Sequence, residues 1–304
     1  MRLSGFLVAA SLAAPRSGTP SAQAPRITVI LSQESPAYRA AAEGFKAELA
    51  GQGLSVDVDL RAPGIPNPDQ VRQIRARAPD LILALGAPAA AAADADFPDL
   101  PVVAVMLRRA DFAKLGRATG VYLEFPVELD LRWLKLVLPR ARRVGVVYNP
   151  GENAAVVAHA GTVAAGLGLE LVPRKVESRD RLPDALTSMA NDVDVIWGIA
   201  DTLVLTPETA RSFLLFQFRQ RIPFAGLSDA WVRAGALYAI DRDWTDLGRQ
   251  CAGLAVQVLR GRSPASLEPA APRRVTLSVN SNTAQTLQVE LSAEALRASR
   301  ESHP

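Results

Sequence analysis

Two stretches of this chain read alike at an offset of 115 residues, and that echo limits what the chain can fold into. The first runs Val29-Ile30-Leu31, a polar loop from Ser32 to Pro36, an Ala-rich run, Gly51-Gln52-Gly53-Leu54, then Ser55-Val56-Asp57-Val58. The second runs Val144-Gly145-Val146-Val147-Tyr148, a polar loop from Asn149 to Asn153, an Ala-rich run, Gly166-Leu167-Gly168-Leu169, then Glu170-Leu171-Val172. Each copy has the pattern strand, loop, helix, Gly-x-Gly-Leu turn, strand, which is a βαβ unit. Two copies predict two similar lobes with a cleft between them. A cleft of that kind points to ligand capture more than to chemistry.

The rest of the chain extends the plan. Continuous apolar runs such as Leu81-Ile82-Leu83-Ala84-Leu85 and Val102-Val103-Ala104-Val105-Met106 belong to parallel strands buried on both faces. The first lobe is expected to have strands at 27–31, 54–60, 80–85 and 101–106, with helices at 36–50, 68–78 and 88–95. The second is expected to have strands at 144–148, 169–174, 194–199 and 222–227, with helices at 153–166, 180–191 and 207–220. The tail does not fit a tandem repeat. It reads as a strand at 235–240, a helix at 243–259, a strand at 274–279 and a final helix starting at Asn282. Such a tail suits a chain that crosses between lobes more than once, through a hinge of several strands. The fold class is therefore α/β, with two doubly wound parallel-sheet lobes joined by a multi-strand hinge. The expected division is 25–120 with 241–268 as lobe 1, and 121–240 with 269–304 as lobe 2. A length of 304 residues agrees with two domains.

Residues 1–24 read as a signal peptide or a disordered leader. Arg2 precedes an apolar run from Gly5 to Ala14, followed by a stretch rich in Ser, Pro and Ala. Cleavage after Ala24 leaves Pro25 at the new terminus; cleavage after Ser21 is the alternative. This implies export to the periplasm. No cysteine follows that could carry a lipid.

Composition excludes several function classes. The formal charge is +3, and the basic residues are spread out, so no nucleic-acid partner is expected. The densest basic group, Arg140, Arg142 and Arg143, reads as a solvated loop before a strand. The only cysteine, Cys251, falls in the apolar run Leu247, Cys251, Leu254, Ala255, Leu259 and reads as a core residue. The two histidines, His159 and His303, make a His-dependent hydrolase or a His-rich metal site hard to build. No G-x-G-x-x-G follows the first strand, and no Walker loop, G-x-S-x-G or H-E-x-x-H occurs. No catalytic residue, cofactor or metal is assigned.

Ligands of open parallel sheets sit beyond the carboxyl ends of the strands, at helix N-termini. Four loops qualify. In the first, Ser35 either caps a helix or binds a ligand, with Tyr38 covering it. In the second, Gly86, Ala87 and Pro88 offer backbone N–H groups. In the third, Asn149 and Asn153 supply amides. In the fourth, Asp201 with Thr202 either closes a local turn or grips an ammonium group. Asp229 caps the helix bearing Trp231 or faces the ligand. Arg108 and Arg109 follow the fourth strand; near a cleft they favour a carboxylate or phosphate, though a solvated surface explains them too.

Thr119-Gly120-Val121, Pro126-Val127-Glu128, Leu138-Pro139 and Val144 to Pro150 resemble the ABC transporter substrate-binding protein family. So do Arg233-Ala234-Gly235-Ala236-Leu237, Leu247-Gly248-Arg249-Gln250, and Val279-Asn280 with Thr283-Ala284. The resemblance covers about residues 26 to 295. It implies a type I periplasmic-binding-protein fold with a three-stranded hinge. It also implies extracytoplasmic capture of a small solute, often an aromatic or branched amino acid, for an inner-membrane permease and ATPase. By position its ligand loops fall on Ser35, 86–88, 149–153 and Asp201. The chain departs from the family at Arg108-Arg109, where an Asp-Pro pair is usual, at Tyr122-Leu123-Glu124-Phe125, and at Leu287-Gln288-Val289.

The expected function is a monomeric solute-binding component of an ABC importer, taking an amino acid or related carboxylate. Two rivals share the cleft: a ligand sensor without a permease, and a two-lobed α/β transferase.

Overall fold

Residues 26–122 build a five-stranded sheet. In chain order it runs β1 (Arg26–Leu31), α1 (Pro36–Gly51), β2 (Asp57–Leu60), α2 (Pro68–Ala76), β3 (Leu81–Leu85), α3 (Ala87–Asp96), β4 (Val102–Leu107), the short α4 (Arg109–Phe112) and β5 (Ala118–Tyr122). All strand pairs are parallel, in the order β2-β1-β3-β4-β5. The structure is a computed structural model that describes residues 24–53, 57–60 and 64–303. The signal-peptide reading and the start of the predicted strand at 54–60 lie outside the described residues.

The second sheet has seven strands. Its elements are α5 (Val127–Val137), β6 (Arg143–Tyr148), α6 (Pro150–Gly166), β7 (Glu170–Lys175), α7 (Leu182–Thr187), β8 (Val195–Trp197), α8 (Ala210–Gln220), β9 (Phe224–Gly226), α9 (Asp229–Arg233) and β10 (Tyr238–Arg242). After α10 (Trp244–Leu259) the chain adds β11 (Val275–Asn280), α11 (Ser281–Leu287), α12 (Ala293–Ala298) and β12 (Ser299–His303). The order is β12-β11-β10-β9-β8-β6-β7, parallel except that β11 runs antiparallel to β10.

The repeat has a physical basis. Gly53 and Gly168, the second glycines of the two Gly-x-Gly-Leu turns, have φ of +69° and +67°. Both follow directly on a helix C-cap, α1 in one case and α6 in the other. A left-handed residue just past the last turn stops a helix, and glycine takes that conformation without a Cβ penalty.

Strand alternation divides each core into two. Ile27, Val29 and Leu31 point to the side of α1 and α10, while Ile30, Ile82 and Ala84 point to α2 and α3. In the second sheet Val144, Val146 and Trp197 face α5 and α6, and Val147, Ile196 and Phe224 face α7 and α8. Both sheets are thus covered on both faces, as the apolar strands predict.

Two predicted helices differ in extent. The expected helix at 180–191 begins as a 3₁₀ turn at Arg179–Arg181, and α7 ends at Thr187. The expected helix at 207–220 starts only at Ala210. The Thr209 hydroxyl donates to the Val204 carbonyl and accepts from Thr206 N, holding the preceding residues in a turn. The final helix, expected from Asn282 onward, stops at Leu287 because Gln288 adopts φ +57°. A separate capped helix, α12, and the edge strand β12 follow.

Three segments pass between the sheets: 123–126 after β5, Asp243 after β10, and 260–274 before β11. Ala270 bonds Tyr122 and Gly120 through its backbone, at 3.0 and 2.9 Å. Arg273 grips the nearly buried Asp246 on α10 with Nε and Nη2, both at 2.8 Å. Between its two crossings α10 returns to the first sheet and packs on α1 and β4. The two helices touch backbone to backbone at Gly44 and Gly248. A Cβ on Gly44 would strike the Thr245 carbonyl, and one on Gly248 the Ala41 carbonyl. Cys251 is buried in this packing, where desolvation pushes its thiol pKa up.

Candidate functional site

The carboxyl end of β4, the 123–126 crossing and the carboxyl ends of β8 and β9 surround a cavity of about 710 Å³. That volume lies within the range of small-molecule sites, about 300–1,000 Å³. The first sheet contributes Arg108, Arg109 and Tyr122; the second contributes Asn153, Trp197 and Tyr238. The crossing segment adds Phe125, so aromatic rings stand on several sides. Arg109 lies over the Tyr122 ring at 5.7 Å. Arg242 closes the hinge end. Its Nε donates to the Leu123 carbonyl at 2.7 Å, and its guanidinium stacks 4.9 Å from the Phe125 centroid.

Charges on the wall are mostly paired. Glu152, in the first turn of α6, accepts from Arg108 Nη1 at 2.7 Å across the cleft, and from the Thr202 N–H and hydroxyl at 2.9 and 2.7 Å. Arg108 also lies 3.5 Å from Asp111. The Asp111 carboxyl is held below its ordinary value: burial works against that, and Lys114 and Arg108 outweigh it. His159 Nε2 lies 2.7 Å from Glu128 Oε1, and the Glu128 pKa is lowered, by a hydrogen bond from its own backbone N–H first and by His159 next.

Behind this wall Asp201 ties the ends of β6 and β8 together. Its Oδ2 accepts from Asn149 N at 2.8 Å and Asn153 Nδ2 at 2.9 Å. Its Oδ1 accepts from Leu203 N and Val204 N, both at 2.8 Å. Asn153 also donates to the Ala200 carbonyl at 3.1 Å. Asp201 is buried and satisfied by the chain itself.

Residues 26–303 match the family described as ABC transporter substrate binding protein. The chain belongs to that family.

Other proteins agree with this ABC transporter substrate-binding assignment. The "Tyrosine-binding protein" of Clostridioides difficile strain R20291 is 23% identical over 282 residues, covering 87% of this chain and 81% of that one. A substrate binding protein with adhesive properties from Clostridium difficile, solved in a ligand-free, open state, superposes with a TM-score of 0.74 at 22% identity. It covers 92% of this chain and all of that one. An ABC domain from Streptococcus pneumonia, solved in complex with L-Trp, gives 0.61 at 22% identity, covering 91% and 99%. These likenesses carry the two-lobed type I periplasmic-binding-protein fold.

Of the residues that sequence pointed to, the structure brings Arg108, Arg109 and Asn153 onto the wall of this cavity. Asn149 caps α6 behind it, its side chain accepting from Gly151 N at 3.0 Å. Asp201 and Thr202 hold the loop and its Glu152. Ser35 caps α1, accepting from Tyr38 N at 3.4 Å. Gly86, Ala87 and Pro88 begin α3, and Gly86 has φ +91°. A Cβ on Gly86 would come within 2.6 Å of Ser32 Oγ and the Tyr38 hydroxyl, so these residues pack on one another. Burial raises the Tyr38 pKa. Asp229 is not the cap of its helix. Ser228 holds the N-cap position, and Asp229 pairs with Arg233 at 2.5 Å in the first turn.

Sequence reasoning passed over Tyr122, Phe125, Asp130, Trp197, Tyr238 and Arg242, all on the wall. One signal was available. Asp130 shares the apolar stripe of α5 with Val127, Leu131 and Leu134, where an apolar residue is the rule.

Proposed function

We infer that this chain is the solute-binding component of an ABC importer, working outside the cytoplasm, and that it closes its two lobes on an amino acid or a related carboxylate. The carrying observation is the cavity itself. Its wall draws on both sheets and on a crossing segment, so a ligand touching all three holds the lobes together. A ligand shifts an open–closed equilibrium only by contacts it makes in one state more than in the other. The names of two relatives, one tyrosine-binding and one solved with L-Trp, favour an amino acid with an aromatic side chain. The aromatic lining and the Arg108–Arg109 end of the cavity suit such a molecule. The lobes divide near residues 122, 243 and 268, where the chain crosses.

The signal-peptide-like pattern of residues 1–24 supports a periplasmic location, and an inner-membrane permease is the partner to which the closed form delivers its load. No helix among the described residues is long and apolar enough to cross a membrane. No group of metal-binding side chains occurs among the described residues.

A thermal-shift screen of the purified chain against amino acids, organic acids, nucleosides and sugars tests the reading. A ligand at about 100 times its Kd adds roughly 2.7 kcal/mol of stability. Stabilisation by an amino acid, or by an organic acid of similar size, is the expected result. A screen in which neither class raises the melting temperature overturns it.

A further inference from the structure

One carboxylate on the cavity wall has no partner among the described residues. Glu124 accepts from Arg109 N at 2.8 Å, Glu128 meets His159, and Glu152 holds Arg108 and Thr202. Asp130 also lines the cavity, yet among the described residues no hydrogen bond or ion pair reaches its side chain. It stands in the first turn of α5, beside the fully buried Leu131. Tyr238 and Arg242 of β10 are close enough to act on it electrostatically. The Arg242 guanidinium is already engaged by the Leu123 and Leu227 carbonyls and by Asp241.

A desolvated carboxylate is costly unless a cation completes it. Aromatic faces also attract cations, and Phe125, Trp197 and Tyr238 line the same cavity. From the first sheet Arg109 carries a guanidinium that lies over the face of Tyr122. The cavity is thus acidic at one place, basic at another, and aromatic around both.

We propose that Asp130 receives the protonated amine of the captured solute, so that the cleft selects ligands with a primary ammonium group on an apolar body. The assignment rests on the solute-capture reading above and names the group that sets its specificity. The ammonium supplies the hydrogen-bond donors that the chain withholds. In the empty cleft burial raises the Asp130 pKa to about 7, with Arg242 acting in the opposite direction. An arriving ammonium therefore displaces a proton. Affinity for an amine falls about tenfold per pH unit below that value, because only the ionised carboxylate pairs. Other titratable and charged groups face the cavity: Tyr238 and Arg242 on β10, Glu124 and Glu128 near Asp130 in sequence, Glu152 and His159 on α6, and Arg108 and Arg109 at α4. Comparison with a variant lacking only the Asp130 charge separates its contribution from theirs.

The test is calorimetric titration of the purified chain and of Asp130→Asn with L-tyrosine, L-phenylalanine and L-tryptophan. Phenethylamine and 3-phenylpropionate serve as the amine-only and acid-only probes. The variant is expected to lose about tenfold to hundredfold in affinity for the amino acids and for phenethylamine, the worth of one charge-assisted contact. It should bind 3-phenylpropionate as well as the parent does or better, and its amino-acid affinity should be flat from pH 7 to about 5.5, a window set by the raised carboxyl. Its ligand-free melting temperature should not fall, which shows the variant is folded. An unchanged affinity for the amino acids overturns the Asp130 assignment and leaves solute capture standing. A parent chain that binds none of the amines overturns the assignment as well. If that chain also ignores every acid, solute capture fails with it.

Discussion

Replacing Asp201 by Ala should cost ligand-free stability, although sequence alone made it a candidate ligand group. The carboxylate takes four hydrogen bonds from Asn149, Asn153, Leu203 and Val204. The bonds from Asn153 Nδ2 and Val204 N are buried, whereas those from Asn149 N and Leu203 N are only partly buried. Hydrogen bonds to a charged group are worth about 1.5–3 kcal/mol each, and an orphaned buried donor bears its own desolvation cost. Counting only the two buried donors, the loss is about 3–6 kcal/mol. At roughly 2–4 °C per kcal/mol for a domain of this size, the ligand-free melting temperature drops about 6–24 °C. Asp201→Asn should fall in between, because its amide can accept from Leu203 and Val204 but points hydrogens at the other two donors. The assay is thermal unfolding by far-UV circular dichroism without ligand, beside calorimetric affinity for whichever solute the screen finds. Loss of affinity with a ligand-free melting temperature unchanged within about 2 °C would refute the clasp and return Asp201 to the ligand.

Three further outcomes follow from the same physics. Gly248→Ala should destabilise by about 2–3 kcal/mol or more, since its Cβ meets the α1 backbone; Gly253→Ala on the same helix, with open space around it, should be neutral or stabilising, and denaturant melts compare them. Asp246 has a lowered pKa, through its bonds to Arg273 first, so its contribution is complete above the unfolded carboxylate value near 4 and is lost as pH falls through the lower folded value. Arg273→Ala should therefore cost about 1–2 kcal/mol at neutral pH, as Arg273 is half exposed, and should show a shallower loss below about pH 4 in acid melts. Arg108→Ala removes an ion pair across the cleft worth about 0.2–1 kcal/mol, so the ligand-free radius of gyration should rise at low salt. The difference should fade at high salt; one that persists means that packing, not charge, carries the contact.

Much of the architecture was legible because it is written in local, periodic signals. Continuous apolar runs mark strands covered on both faces, and Gly53 and Gly168 end helices through one backbone conformation that glycine supplies. Where a boundary depended on one conformation without such a signature, the reading failed. Gln288 stops α11 in a left-handed turn that glutamine does not advertise, and the Thr209 hydroxyl delays α8 by bonding Val204.

The site was less legible, for a geometric reason. Strand-end rules lead to loops such as Ser35 and Gly86–Pro88, but in this chain those loops pack on each other through Ser32, Tyr38 and the tight approach at Gly86. The wall instead comes from a crossing segment, a helix stripe and the ends of three strands that are far apart in sequence: Phe125, Asp130, and Tyr122, Trp197 and Tyr238. Local order determined two βαβ lobes, their strands and their helix stops, because each depends on neighbours a few residues away. Only the folded chain decided which carboxylate is consumed and which is left open. Asp201 and Asp130 look alike in one dimension, and their difference lies in donors brought from 48 to 52 residues away for the first and withheld from the second.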